Sequence, residues 1–154
     1  MHNSLFFDQV EQHFRYLVDE YGFSVICRER YESFDNAEVI IQSRDCRIRI
    51  LREKGQVFVD AAPLPPSEDW FDLTEITAYL SQGADSWKYE TPDRGDYDSR
   101  IEWQVKRLAD ILRSYLPQIC ELFRKGIFEQ KLAKLLEFRN QQFKERWGQY
   151  VRKN

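Results

Sequence analysis

An α+β fold is predicted for this chain: an N-terminal helix, a four-stranded antiparallel meander sheet, one short helix and two long C-terminal helices packed on one sheet face. Three observations lead there. Apolar residues recur at helical spacing at both ends of the chain, period-two alternation fills the stretch after the first helix, and Pro63, Pro65 and Pro66 close that stretch because proline cannot donate to a ladder.

The first helix is expected over residues 6–21, where Phe6, Val10, Phe14, Leu17 and Tyr21 share a stripe, with Ser4 as N-cap and Gly22 as the stop. His13 lies at the edge of that stripe and reads as a boundary residue bonded at the helix surface. Strands are expected near 23–31, 37–42, 46–52 and 56–62. Lys54-Gly55 is a two-residue hairpin connection, so Glu53 should face Gln56, Leu51 face Phe58, Ile50 face Val59, Arg49 face Asp60 and Ile48 face Ala61. Joining the preceding pair through Arg44-Asp45 sets Ile41 against Ile48 and Val39 against Ile50, and both hairpins then name the same core face. The opposite face carries Ile40, Gln42, Arg47, Arg49, Phe58 and Asp60, the mixed surface of a sheet solvated on one side. Arg47 and Arg49 could receive an anion, but cross-strand pairing of Arg49 with Asp60 is the simpler account.

A short helix is expected over 73–81, with Asp72 as N-cap, Glu75 completing the capping pattern and Gly83 closing it. Residues 84–99 read as a polar loop. In the first long helix Ile101, Val105, Leu108, Leu112, Tyr115, Ile119 and Leu122 hold one stripe, which Pro117 should kink or interrupt. Gly126 marks the joint to the second, striped by Leu132, Leu136, Phe143, Trp147 and Tyr150. The two stripes need a shared core. One domain, 1–154, follows: helix and sheet in 1–62, an acidic loop and short helix in 63–98, and the C-terminal helices in 99–154.

Composition excludes several classes. With 154 residues, 42% hydrophobic and 32% charged, the chain is neither disordered nor a membrane protein. No apolar run approaches the roughly 20 residues that span a bilayer, and Asp8 and Glu11 come too early for a signal peptide, so a cytoplasmic location is expected. Cys27, Cys46 and Cys120 are an odd set without CxxC spacing and read as buried thiols, giving neither a disulfide framework nor a zinc site. The net charge of -3 conceals a polarity: residues 124–154 hold nine basic and three acidic residues, leaving -9 for the rest. Lys131, Lys134, Arg139, Lys144 and Arg152 are spread around their helix, and a pI of 5.5 speaks against a phosphate-binding surface, so no nucleic-acid partner is expected. Asp93, Asp96 and Asp98 lack the glycine and glutamate of a calcium loop, and no metal or cofactor is expected. With His2 and His13 the only histidines, and no nucleophile elbow or glycine-rich phosphate loop, the chain reads as non-enzymatic.

The feature left over is acidic and aromatic. Between Gly55 and Trp87 stand Asp60, Glu68, Asp69, Asp72, Glu75 and Asp85, with no Lys, Arg or His among them. Asp72 and Glu75 have a helix start to serve; the others do not. Trp70, Phe71, Tyr79 and Trp87 lie in the same stretch, and large rings beside fixed negative charge suit the docking of a basic protein. The candidate partner-binding residues are Glu68, Asp69, Trp70, Asp85, Trp87, Tyr89, Asp96 and Asp98. Trp70 and Phe71 fit exposed anchors or inward core equally well.

The order of elements also carries a resemblance. A leading helix ending in Tyr21-Gly22-Phe23, then Glu29-Arg30-Tyr31-Glu32-Ser33, Arg47-Ile48-Arg49-Ile50, Val57-Phe58-Val59-Asp60 and Trp70 through Leu73 resembles small bacterial immunity proteins of contact-dependent or polymorphic toxin systems. The resemblance spans residues 5–82. It implies a non-catalytic protein that neutralises one toxin, often by covering a basic active site. The alternative expectation is an adaptor subunit acting through its C-terminal helices, as a homo-oligomer or within a larger assembly.

Overall fold

The computed structural model describes residues 2–32 and 35–152, with the side chains of 5–32 and 35–145. Two helical segments, α1 (His2–His13) and α2 (Arg15–Tyr21), stand where one helix is expected. Phe14 leaves helical geometry at φ -99°, ψ 11°, yet its ring stays buried in line with Phe6, Val10 and Leu17, so the apolar stripe runs through the break. Because α1 begins at His2, Ser4 is not its cap. Tyr21 is exposed, and Tyr16 takes the inward place, its hydroxyl donating to the Ala109 carbonyl at 2.7 Å. Gly22 ends α2 at φ +73°, a conformation that favours glycine.

The sheet holds five antiparallel strands in the order β1 (Ser24–Tyr31), β2 (Asn36–Gln42), β3 (Arg47–Glu53), β4 (Gln56–Ala62) and β5 (Phe71–Asp72). Every register expected from the two tight turns is present, including Ile41 on Ile48, Ile50 on Val59 and Arg49 on Asp60. A bulge between Val25 and Cys27 shifts β1 against β2. β5 was not expected; its two residues pair with Asp60 and Ala61.

One face of the sheet is core. Val39, Ile41, Ile48, Ile50, Val57, Val59 and Ala61 pack with α1, α2 and α4 (Tyr97–Phe123) in one buried cluster. The helix α4 starts inside the expected loop, because the Asp96 carboxylate accepts from Ser99 N–H at 2.8 Å. Pro117 neither ends nor splits it; the proline is exposed, so water can serve the carbonyl one turn back, and the chain turns only at Arg124–Gly126.

The short helix α3 (Leu73–Leu80) has Asp72 as N-cap, accepting from Thr74 N–H at 2.9 Å. Glu75 does not complete a capping box but pairs with Arg139 at 2.6 Å. The last helix, α5 (Ile127–Arg152), does not lie flat on the sheet as expected. It packs on α3 and α4 and meets the sheet through Phe128 on Phe71. Leu132 and Leu135 continue that contact, whereas Leu136 and Phe143 are exposed; Trp147 and Tyr150 lie outside the described side chains. Among the described residues no helix is long and apolar enough to cross a membrane.

Candidate functional site

The alternation that buries one sheet face turns the other outward. Glu29, Glu38, Leu51 and Phe58 form one cross-strand row, Cys27, Ile40, Arg49 and Asp60 the next, and Gln42 with Arg47 a third. Ile40, Leu51 and Phe58 are half-buried and lie outside the core cluster, so they make an apolar strip across the open face. Its two ends are charged.

At one end stands Trp70. The Arg47 and Arg49 guanidiniums lie 4.7 and 4.2 Å from its ring centre. Arg49 also donates to one Asp60 oxygen at 3.0 and 2.7 Å, and Arg47 donates to the Pro63 and Ser67 carbonyls at 2.9 and 2.6 Å. Those bonds pin the segment carrying Glu68, Asp69 and Trp70 against the sheet. Arg139 of α5 adds a third hold, donating to the Trp70 carbonyl at 3.2 Å. Burial pushes the Asp60 carboxyl above the usual carboxylate range against the pull of Arg49, and burial together with the like charge of Arg49 lowers Arg47. Glu68 and Asp69 stay exposed. Arg47, Arg49 and Arg139 are thus engaged by the segment and the sheet, and Glu68 and Asp69 face solvent.

At the other end the Tyr31 hydroxyl lies 2.8 Å from Glu29 and 2.7 Å from Glu38. One proton serves two carboxylates. Their hydrogen bonds, Glu38 first, raise the Tyr31 phenol well above its ordinary value. Cys27, Glu29 and Glu38 place ligand-type atoms within 4.8 Å of one another. Burial and then the two carboxylates raise the Cys27 thiol, which favours its protonated form and makes this a weak metal-ligand set.

Of the other residues named from the sequence, Trp87, Tyr89 and Asp96 bond within the fold. Trp87 donates through Nε1 to Thr77 Oγ1 at 2.8 Å and sits edge-on to Tyr89, which in turn contacts Phe58. The Tyr89 hydroxyl donates to Asp72 at 2.7 Å and receives the Val59 N–H at 3.3 Å, covering the part of β4 that β5 leaves unpaired. Burial and the Asp72 charge raise its phenol far above the ordinary value. Gln104 covers the neighbouring amide, accepting from Val57 N–H at 2.9 Å. Asp85 is exposed beyond α3.

Asp96 caps α4, and the Asp98 carbonyl accepts from Gln9 at 3.3 Å. That start of α4 abuts the opposite end of the strands from Trp70, because Tyr97 donates to Asp35 at 2.9 Å and Asp35 pairs with the buried Arg52. Between Arg47 and Arg52 the strand rises roughly 17 Å. Glu68, Asp69 and Trp70 are thus one group, Trp87 and Tyr89 pack together beside Phe58 and Asp72, and Asp96 and Asp98 are remote. Glu29 and Glu38 escaped the sequence reading because no two-residue turn motif in the sequence joins β1 to β2, and their register could not be counted from one.

His13 faces Glu102 at 3.3 Å, where α1 packs on α4. The open face thus carries exposed carboxylates beside a half-buried Trp70 ring and an apolar strip. No protein-family model, curated protein or solved structure matches this chain.

Proposed function

We propose that this protein is a non-catalytic binding protein of the immunity or antitoxin type, which engages a basic protein surface through the open face of its sheet. One observation carries the reading. The half-buried strip of Ile40, Leu51 and Phe58 runs between two acidic poles, Glu29 with Glu38 and Glu68 with Asp69, and the latter adjoins Trp70. An apolar centre with charged margins is the anatomy of a protein interface, and carboxylates at the margin accelerate encounter with a cationic partner. The arginines on the face do not reverse its sign, since Arg47 and Arg49 stand against five carboxylates, Glu29, Glu38, Asp60, Glu68 and Asp69.

The test is affinity capture from the source cell with the wild-type chain and with Trp70→Ala and Glu68→Gln/Asp69→Asn variants. The reading expects a basic protein that elutes with salt and that both variants fail to retain. Equal retention by variants with native circular dichroism contradicts it.

A second reading has its own support. Among the described residues Leu135 is the last buried one on α5, and Leu136 beyond it is exposed. An adaptor acting through this helix would lose its partner after Leu136→Glu while keeping the open face intact.

A further inference from the structure

We infer that β1 and the groove beside it form a docking site for an extended peptide segment of a partner protein, which adds to the sheet edge as a further strand and sets carboxylates against Arg28 and Arg30. The inference stands apart from the open-face reading, since Trp70 lies next to β5 at the far edge of the sheet and takes no part in it. Among the described residues β1 ends the strand order and pairs with β2 alone, so every other residue turns its backbone N–H and C=O away from the sheet with no strand to meet them. Along Ser24–Tyr31 each residue is exposed except the half-buried Cys27, and the strand holds no proline or lysine to deter pairing.

A second observation sets a groove along that edge. The cross-strand partners of Val25, Arg28 and Arg30 are Ile41, Val39 and Ala37, all buried, so these three β1 side chains lie on the helix-facing side of the sheet. There Val10, Phe14 and Val18 of the helical layer, with Val25, Arg28 and Val39 of the sheet, line a groove of about 400 Å³. Val18 is 45% and Val25 40% exposed, so the groove is open to solvent. An unpaired strand beside an apolar, helix-walled groove is the arrangement that strand addition uses: main-chain bonds supply affinity, and alternate side chains enter the pocket.

Charge selects the occupant. Among the described residues no ion pair holds Arg28 or Arg30, whereas Arg15 across the groove is paired with Asp19 at 3.1 Å. Glu11 lies on the same wall, so Arg15, Arg28 and Arg30 stand against two carboxylates, and the edge keeps an unmatched cation. On the opposite face of β1, Glu29 stands beside Glu38. The fitting strand carries Glu or Asp opposite Arg28 and Arg30, Lys or Arg opposite Glu29, and apolar residues toward Val25. A second copy of this chain does not fit. Two β1 strands paired about Arg28, Glu29 or Arg30 set like charges opposite each other, and pairing about Cys27 brings the bulge into the ladder opposite Arg28.

The probe is an end-blocked fluorescent heptapeptide, Thr-Glu-Lys-Glu-Thr-Val-Thr, whose Glu, Lys and Glu face Arg30, Glu29 and Arg28 in the antiparallel sense of the sheet; it is titrated against the full-length chain by anisotropy. Two isomers are N-methylated at alternate amides, one along each edge of the extended peptide. The isomer that keeps its β1-facing amides should bind like the parent, and the other at least roughly tenfold more weakly. Arg28→Glu/Arg30→Glu should weaken the parent peptide by a similar factor and restore binding to a peptide with Lys in both Glu places. If that double variant loses its native circular dichroism, the two isomers decide on the wild-type chain. No saturable binding up to about 1 mM peptide, equal binding of both isomers, or a dimer of the chain in sedimentation that the peptide leaves intact overturns the proposal.

Discussion

The Arg49 guanidinium lies 4.2 Å from the centre of the Trp70 ring while two of its nitrogens reach a single Asp60 oxygen. One arginine therefore ties the loop carrying Glu68 and Asp69 to the middle of the sheet. Each cation–π contact at a half-exposed ring contributes about 0.5–1 kcal/mol, and Trp70 has two such contacts. Trp70→Ala should cost about 1–2 kcal/mol in urea unfolding and leave a folded protein. Loss of the whole fold would mean that Trp70 is core and not surface.

Gln104 is the side chain on which the unpaired run of β4 depends. It accepts from Val57 N–H at 2.9 Å and donates to the Gly55 carbonyl at 3.1 Å from an almost fully buried position. Gln104→Leu keeps the volume and removes both bonds, leaving a buried amide unsatisfied, and should cost about 2 kcal/mol. Faster hydrogen exchange at Val57 than at Ile50 would locate the loss.

Tyr89→Phe makes a similar test one residue pair further along, at Val59. A cost of about 1 kcal/mol is expected. The same phenol has a pH signature: its folded value lies above the ordinary 10.0, so its contribution is complete below pH 10 and is lost as pH rises towards the folded value. Ultraviolet titration to about pH 10.5 should therefore count the same number of ionising tyrosines in wild type and Tyr89→Phe. One fewer in the variant would show that Tyr89 is not held.

Asp96 gives the opposite sign. Hydrogen bonds from the Ser99 amide and hydroxyl lower its carboxyl below the ordinary 3.8, so the cap's contribution is full above that value and fades as pH falls through the folded one. Asp96→Ala should lower Tm at pH 7 and converge on wild type in strong acid. A Tm difference independent of pH would remove the charged cap from the account.

The legible parts of this fold were those set by short-range chemistry. Lys54-Gly55 and Arg44-Asp45 are two-residue turns between alternating strands, so one count fixes all cross-strand neighbours from Val39 to Ala61. β5 was not legible, because two residues are too few to show alternation. The break at Phe14 leaves the apolar stripe unbroken and so leaves no trace in the periodicity. Pro117 misled in the other direction, since a proline on a solvated helix face is tolerated.

At the site, Trp87-Lys88-Tyr89-Glu90 alternates half-buried and exposed, a period-two signal that places Trp87 and Tyr89 against β4 and α3. Gln104 falls within the apolar stripe of α4, and Arg52 within the core row of β3; both are buried polar groups whose partners lie far along the chain. No local pattern announces such partners.

The measurement that bears most directly on the account is the affinity of the captured partner for wild type and for folded Trp70→Ala and Glu68→Gln/Asp69→Asn variants, titrated at about 50 mM and about 500 mM salt. The account expects wild-type affinity to fall with salt, and each variant to bind at least roughly tenfold more weakly at low salt, a loss of about 1.4 kcal/mol. Wild-type affinity in both folded variants, or binding indifferent to salt, would contradict it.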